Sequence, residues 1–425
     1  MFAIKNLFQY SFAANHIRWN LNMLRKTVGS SEMASAIKCW NEHETPFFFS
    51  SETVSLLGQG CEYGLHEAVP FLKLNKTIQA MLQQSKQTQT DNPVVLGMIP
   101  FNEEDPCHFV IPNRLLVSSS LRNQDLTQGQ DVGSGWNTVM LPQPEEYGEV
   151  VNLALNEMSS GVLKKVVLSR AMKLHSKTPL NPAHVLMGLV KQNPSSYRFC
   201  ANTGGDEYLV GASPELLVAR RGLQVIANPL AGSRKRQADE KLNVDLERSL
   251  LETDKDLREH ALVVDAMASV LQDHCKNLHV PMMPSVISTP AMMHLSTLME
   301  GTLWDSNVSA LQLATELHPT PAVCGEPKYL AQQFINEYEP FDRGFFTGVI
   351  GWMDSRGNGE WVVVIRSALV APDSLTVFAG AGIVPGSVAQ EEIEETANKM
   401  ATILNVVNAP NTQIADKEIE KAGAA

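Results

Sequence analysis

The sequence predicts an α+β fold, and three observations carry that expectation. Runs with strand character alternate irregularly with helical patterns, so no βαβ rhythm appears. No segment repeats along the chain. The one stretch that imitates a dinucleotide-binding turn, Phe378-Ala-Gly380-Ala-Gly382-Ile-Val-Pro-Gly386, has its third glycine one residue late for G-x-G-x-x-G, and too little chain follows it for a second βαβ half.

In chain order, residues 1–32 carry Lys5, Arg18, Arg25 and Lys26 against the single acid Glu32, and their apolar stretches are broken by Lys5, Asn6 and Gln9. That is too interrupted for a secretory core and faintly like an organelle presequence; it is read as an extension upstream of a natural start at Met33. From Phe47 to Val117 short apolar strings alternate with Gly58, Gly60, Pro70, Pro93 and Pro100, which predicts strands and one or two helices. Two polar stretches, Gln83 to Pro93 and Ser118 to Trp136, read as surface connections. Pro144 opens a helical pattern through Tyr147, Val150, Val151, Ala154 and Met158, closed by Gly161. Val162 to Leu174 reads as a strand, as do Tyr208 to Gly211, Trp361 to Val370 and Ser374 to Phe378; Asp256 to Leu271 and Ser387 to Val407 read as helices. The expected organisation is one domain over residues 33–408, with a more variable part to residue 143, a core from 144, and a polar tail over 409–425.

The totals narrow the function. The 425 residues are 44% hydrophobic and 19% charged, ordinary for a folded body. Lys plus Arg number 34 against 46 Asp plus Glu, a formal charge of -12, and the only tight basic run is Arg234-Lys235-Arg236, so nucleic acid is an unsuitable partner. Six scattered cysteines without C-x-x-C spacing suit neither a disulfide framework nor a structural zinc site, and imply a reducing, cytoplasmic setting. No apolar run approaches the ~18 residues of a membrane span.

Five clusters could carry chemistry, each with a plainer reading beside it. Lys165 opens the strand Lys164-Lys165-Val-Val-Leu-Ser-Arg170, where an edge lysine is ordinarily solvated. In Gly211-Ala-Ser-Pro-Glu215, Glu215 is either a turn acid or a functional one; the string is not a G-x-S-x-G elbow. Glu259 and His260 lie in the first turns of a helix, where acids also serve the helix dipole. On the last helix, behind the capping-box spacing Ser387-x-x-Gln390, residues Glu392, Glu395 and Lys399 share a stripe that a Glu395–Lys399 ion pair would explain; two helices each offering an acid could also hold Mg2+ through carboxylates and water. The glycines Gly380, Gly382 and Gly386 could form a turn offering N–H groups to an anion. Arg366, in an almost wholly apolar strand, needs either an internal acid or a substrate carboxylate.

Together these strings resemble the chorismate-utilising enzymes, which include anthranilate, aminodeoxychorismate, salicylate and isochorismate synthases. The resemblance runs from about Glu145 to Val407, more weakly from Phe47, through KVVLSR, GASPELL, NPLAGS, REH, STPAMMHL, LHPTPAVCG, EPFDRGFFTGVIGW, WVVVIR, AGAGIVPGS and E-x-x-E-T-x-x-K. It implies large antiparallel sheets enclosing a deep buried site. It implies Lys165 as general base, Glu215 as general acid, Glu259 and Glu395 as Mg2+ ligands with Glu392 behind them through water, and Arg366, Gly380 and Gly382 as holders of a substrate carboxylate. His294 and Gly232 would line the pocket. Ala231 stands where aminodeoxychorismate synthases resemble one another in a nucleophilic lysine, Lys165 where anthranilate synthases lack a lysine, and Ala322 where pyruvate-releasing members look to have threonine. The resemblance therefore implies reversible conversion of chorismate to isochorismate, most like the catechol-siderophore (enterobactin-like) branch, in a monomer whose product an isochorismatase would take. The rivals are a salicylate synthase, a menaquinone-pathway isochorismate synthase and a non-catalytic carboxylate-binding relative.

Overall fold

The computed structural model describes residues 27–40, 46–88, 91–121 and 132–409. Residues 1–26 of the expected extension, 122–131 of the second connection and 410–425 of the tail lie outside them. The described residues form twenty-two strands and nine helices. The architecture is α+β: two large antiparallel sheets lie face to face with helices outside. Phe47, Phe49 and Phe199 of one sheet and Leu96, Trp352 and Val362 of the other fill the space between them. Burying a side chain of this size contributes about 1.5–3 kcal/mol. The outer face of the first sheet is covered by Ser30–Lys38, Pro182–Gln192 and the end of Ala389–Leu404 through Ile37, Leu186, Leu189 and Ile403. Phe71–Thr88, Asp254–His274 and Ala310–Leu317 cover the second through Leu74, Ile78, Val263 and Leu311.

The ten-stranded first sheet is built around Lys165–His175, which pairs with Ser374–Ile383 over ten residues, from Ser374↔His175 to Ile383↔Val166. The nine-stranded second sheet centres on Leu216–Arg221, Gly359–Val363 and Val349–Asp354. A third sheet of three strands, Leu230–Lys235, Met292–Ser296 and Ser285–Ser288, lies beyond them.

Two paired strands change sheet at the same level, and this positions the site. Glu207–Ser213 pairs with Ser367–Val370 in the first sheet, and their continuations Leu216–Arg221 and Gly359–Val363 pair in the second. Glu215 lies in one crossing and Arg366 in the other; Ala212 N donates to Arg366 O at 3.1 Å and Val363 N to Glu215 O at 3.2 Å.

Four sequence expectations change here. Trp361 to Val370 is two strands in two sheets, with Arg366 between them at φ 53, because an unbroken apolar run hides a left-handed residue. Gly380 and Gly382 lie within a strand rather than a turn; only Gly386, at φ 97, turns the chain. The last helix begins at Ala389, and Ser387 Oγ accepts from Val384 N instead of forming a capping box. Gln83 to Thr88 continues a helix, since glutamines are sound helix formers and Ser85 faces inward. The helix Ser30–Lys38 also spans the boundary expected at residue 33, and Val28 is buried with its N–H donating to Val117 O at 2.8 Å. No helix among the described residues is long and apolar enough to cross a membrane.

Candidate active site

A cleft of about 630 Å³, mouth included, opens where the two crossings meet the third sheet and the helices Asp254–His274 and Ala389–Leu404. Glu215, Gly232, Glu259, His294, Ala322, Arg366, Gly380, Gly382 and Glu395 all line it, as does Ala231. Lys165 stands directly behind Glu259 and Glu392 one turn before Glu395, so every sequence-predicted site residue meets at this place.

Lys165 is fully buried rather than a solvated edge charge, and its Nζ is 3.0 Å from Glu259 Oε1. Gly382 explains itself against that pair: a Cβ there would fall 2.1 Å from Glu259 Oε1 and 3.1 Å from Lys165 Cε. A side chain at Gly380 would press on Ser169 Oγ at 2.8 Å. Gly232, at φ 75, holds a backbone that other residues rarely adopt.

Glu215 is 3% exposed, not a solvated turn acid. Burial raises its carboxyl to about 7, against the opposing pull of the Leu230 N–H and of Lys165, Arg366 and Lys399. Such a carboxyl can keep a proton toward neutral pH, where an exposed one would have lost it. Arg366 is also buried; burial lowers its guanidinium to about 10, so it stays charged. Among the described residues no carboxylate lies within ion-pair distance of Arg366, and its polar neighbour is His294 Nε2 at 3.3 Å. Arginine can only donate, so Nε2 accepts and the imidazole proton sits on Nδ1, where the Gly232 carbonyl serves as partner. Burial, then Arg366 and Lys399, hold His294 well below its usual range and neutral.

Three acids along one wall each hold a lysine. Besides Lys165–Glu259, Lys255 Nζ is 2.8 Å from Glu392 Oε1 and Lys399 Nζ 2.6 Å from Glu395 Oε1. Ser233 Oγ donates to Glu395 at 2.8 Å, and Lys399 also donates to Gly380 O at 2.8 Å. Burial and the nearby Glu395 raise Glu392; burial resists, but Lys399 and Ser233 draw Glu395 down. The Glu395–Lys399 ion pair expected from spacing is present, and both residues also line the cleft. Ser233 and Thr347 are cleft residues that sequence reasoning missed, as it missed Lys255, the partner of Glu392; Ser233 ends the NPLAGS string and Lys255 precedes Asp256, and only their neighbours flagged them.

Among the described residues no three His, Cys, Asp or Glu side chains form a ready-made metal cage. Glu259 and Glu395 nonetheless face the same cleft with all-oxygen donors, a set that fits a hard cation keeping waters and a ligand oxygen in its shell. The arrangement can donate a proton from Glu215, hold an anion at Arg366, and present a lysine amine beside carboxylates.

The model of the chorismate binding enzyme family matches residues 114–408. The vibriobactin-specific isochorismate synthase of Vibrio cholerae is 45% identical over 383 residues, 90% of this chain and 96% of that protein. Isochorismate synthase DhbC of Bacillus subtilis is 41% identical over 374 residues, 85% and 93% of the two chains. The crystal structure described as a putative 2,3-dihydroxybenzoate-specific isochorismate synthase from Bacillus anthracis superposes with a TM-score of 0.84 at 38% identity, covering 89% of this chain and all of that one.

Proposed function

This chain belongs to the chorismate binding enzyme family, and from that premise we propose that it is an isochorismate synthase, interconverting chorismate and isochorismate for catechol siderophore supply. The observation that carries the reading is the buried, proton-holding Glu215 in the same cleft as Arg366, with Lys165 behind its wall.

Lys165 takes a proton from the water that adds at ring carbon 2, and Glu215 gives its proton to the hydroxyl that departs from carbon 4 as water. Both ring double bonds shift by one position, from carbons 1–2 and 5–6 to carbons 1–6 and 4–5, so atoms and charge balance and the step reverses. Arg366, fixed by His294, holds a substrate carboxylate by charge-assisted hydrogen bonds. Glu259 and Glu395 would hold Mg2+, with Glu392 behind them; when bound, the ion supplies Lewis-acid stabilisation of carboxylate charge. Ala322 offers no hydroxyl to the cleft, which favours stopping at isochorismate over pyruvate loss.

In this reading one domain runs to residue 408 and takes in Val28 and the helix Ser30–Lys38, ahead of the boundary expected at 33, and every named site residue falls within 144–408. The enzyme works as a monomer in a reducing cytoplasm, which six free cysteines suit, and an isochorismatase-class enzyme consumes its product. The test is incubation of purified protein with chorismate and Mg2+ and chromatographic resolution of products. Isochorismate and chorismate in a reversible mixture with little pyruvate are expected. Salicylate with pyruvate as the main products would replace this reading with a salicylate synthase.

A further inference from the structure

Arg343 follows the helix Lys328–Tyr338, touches no part of the proton-transfer pair, and is almost wholly buried. A guanidinium has five N–H donors, and here all five are used. Nε and Nη2 hold the two oxygens of Glu339. The other Nη2 proton goes to Val167 O at 2.8 Å, and Nη1 donates to Val323 O at 2.8 Å and Thr347 Oγ1 at 3.2 Å. Its plane stands 4.5 Å from the Phe101 ring centroid and 6.0 Å from that of Phe346. Val167, Val323, Phe346 and Thr347 all line the cleft.

These contacts tie three otherwise separate segments together. Val167 is two residues along the strand from Lys165. Val323 follows Ala322, and Val167 N donates to Cys324 O at 2.7 Å beside the bond Arg343 makes. Thr347, held at φ 60, donates its N–H to Val364 O at 2.8 Å, in the crossing that carries Arg366. Glu339 extends the tie by accepting from Ser169 N at 2.7 Å.

We propose that Arg343 is a positioning residue for the reaction: its saturated fork sets the spacing between the segment bearing the base, the Ala322 wall and the Arg366 crossing. The inference rests on the functional reading above. Lysine keeps the charge facing Glu339 but lacks the planar fork, so it cannot serve Val167 O, Val323 O and Thr347 together. The three segments then shift relative to one another while the fold persists.

The test compares Arg343→Lys with Arg220→Lys. Arg220 is likewise buried and bonds the carbonyls of Gly222, Ser306 and Arg356, at the end of its strand remote from the cleft. For each folded variant, kcat, KM for chorismate and the pyruvate fraction of product are measured alongside the unfolding midpoint. A displacement near 1 Å is expected to lower kcat about 10²-fold in Arg343→Lys, with KM moving less than about tenfold and a changed pyruvate fraction. Arg220→Lys is expected to lose midpoint while kcat stays within about twofold. If both variants lose midpoint alike and Arg343→Lys keeps kcat within about threefold, Arg343 is structural and the proposal fails. Should Arg343→Lys not fold, Glu339→Gln replaces it: an unchanged kcat there also overturns the proposal, and a lowered kcat with a native circular dichroism spectrum supports it. Turnover by the unsubstituted enzyme tests the functional reading by itself, so the two failures are distinguishable.

Discussion

Replacing Glu215 by glutamine should abolish turnover and, at alkaline pH, stabilise the fold. Burial raises this carboxyl from an ordinary 4.5 to about 7. Between those values the unfolded chain loses its proton while the folded one keeps it, so the folded state binds more protons and stability falls as pH rises. The penalty is absent below 4.5, grows through the interval and is complete above about 7. A rise of about 2.5 pH units at 1.36 kcal/mol each places it near 3 kcal/mol, as an order of magnitude. Glutamine keeps the shape and an acceptor for the Leu230 N–H but cannot ionise. Urea unfolding of both proteins should therefore give matching midpoints at pH 4.5 and a higher midpoint for Glu215→Gln at pH 8. Isochorismate formation should drop ~10²- to 10⁴-fold, the usual worth of a general acid. In the unsubstituted enzyme kcat/KM should decline as pH rises through about 7. A glutamine variant equally or more destabilised at pH 8 would refute the reasoning, since it would mean that Glu215 is ionised and well paired in the folded state.

Lys165→Ala should cost ~10²- to 10⁴-fold in turnover on protein with a native circular dichroism spectrum; near-normal rates would remove it from the proton-transfer pair. Chelation of divalent metal should abolish turnover and added Mg2+ restore it, and undiminished activity in chelator would sink the Glu259 and Glu395 ligand assignment. Ala322→Thr should raise the pyruvate share, followed with a coupled lactate dehydrogenase assay, because its hydroxyl could orient a substrate group or water; an unchanged share would show that Ala322 does not set the product. Deleting residues 1–32 should lower the thermal midpoint by a few degrees while leaving kcat, because it removes the buried Val28 and the first turn of Ser30–Lys38; an unaltered midpoint would show those contacts to be idle.

The candidate site was legible mainly through its strings, whose order and residues resemble one family. Only Arg366, in an almost wholly apolar strand, stands where a charge by itself demands explanation; Lys165, Glu215 and Glu259 each had an ordinary reading beside the functional one. Their environments were not legible. Periodicity treats Trp361 to Val370 as one strand, yet the chain leaves one sheet for the other at Arg366, and the φ of 53 that allows it leaves no mark on hydropathy. Gly380 and Gly382 suggested a turn, but their use is space: one faces Ser169 Oγ and the other the Lys165–Glu259 pair, across a strand pairing that joins residues over two hundred positions apart. Lys399 was explained away by a local ion pair that is real, since helical spacing cannot reveal what else faces a residue from another element. Short-range rules found the elements and candidate residues; burial and long-range register, which decide their chemistry, required the fold.

Charge balance links the acid to the substrate it must receive. Along the cleft wall three lysines each have an acid as partner, Lys165 with Glu259, Lys255 with Glu392 and Lys399 with Glu395, while Arg366 has no ion-pair partner among the described residues. Were Glu215 ionised, its charge would oppose an anion entering beside Arg366. With its proton retained, it leaves the charge of that guanidinium to an incoming anion. Chorismate carries carboxylates, and an anion entering such a cleft gains more from an unpaired cation than from one already spent on a neighbour. In the proposed reaction one physical cause, the burial of Glu215 where two paired strands change sheet, would therefore serve twice, keeping a proton to give and leaving Arg366 to the substrate.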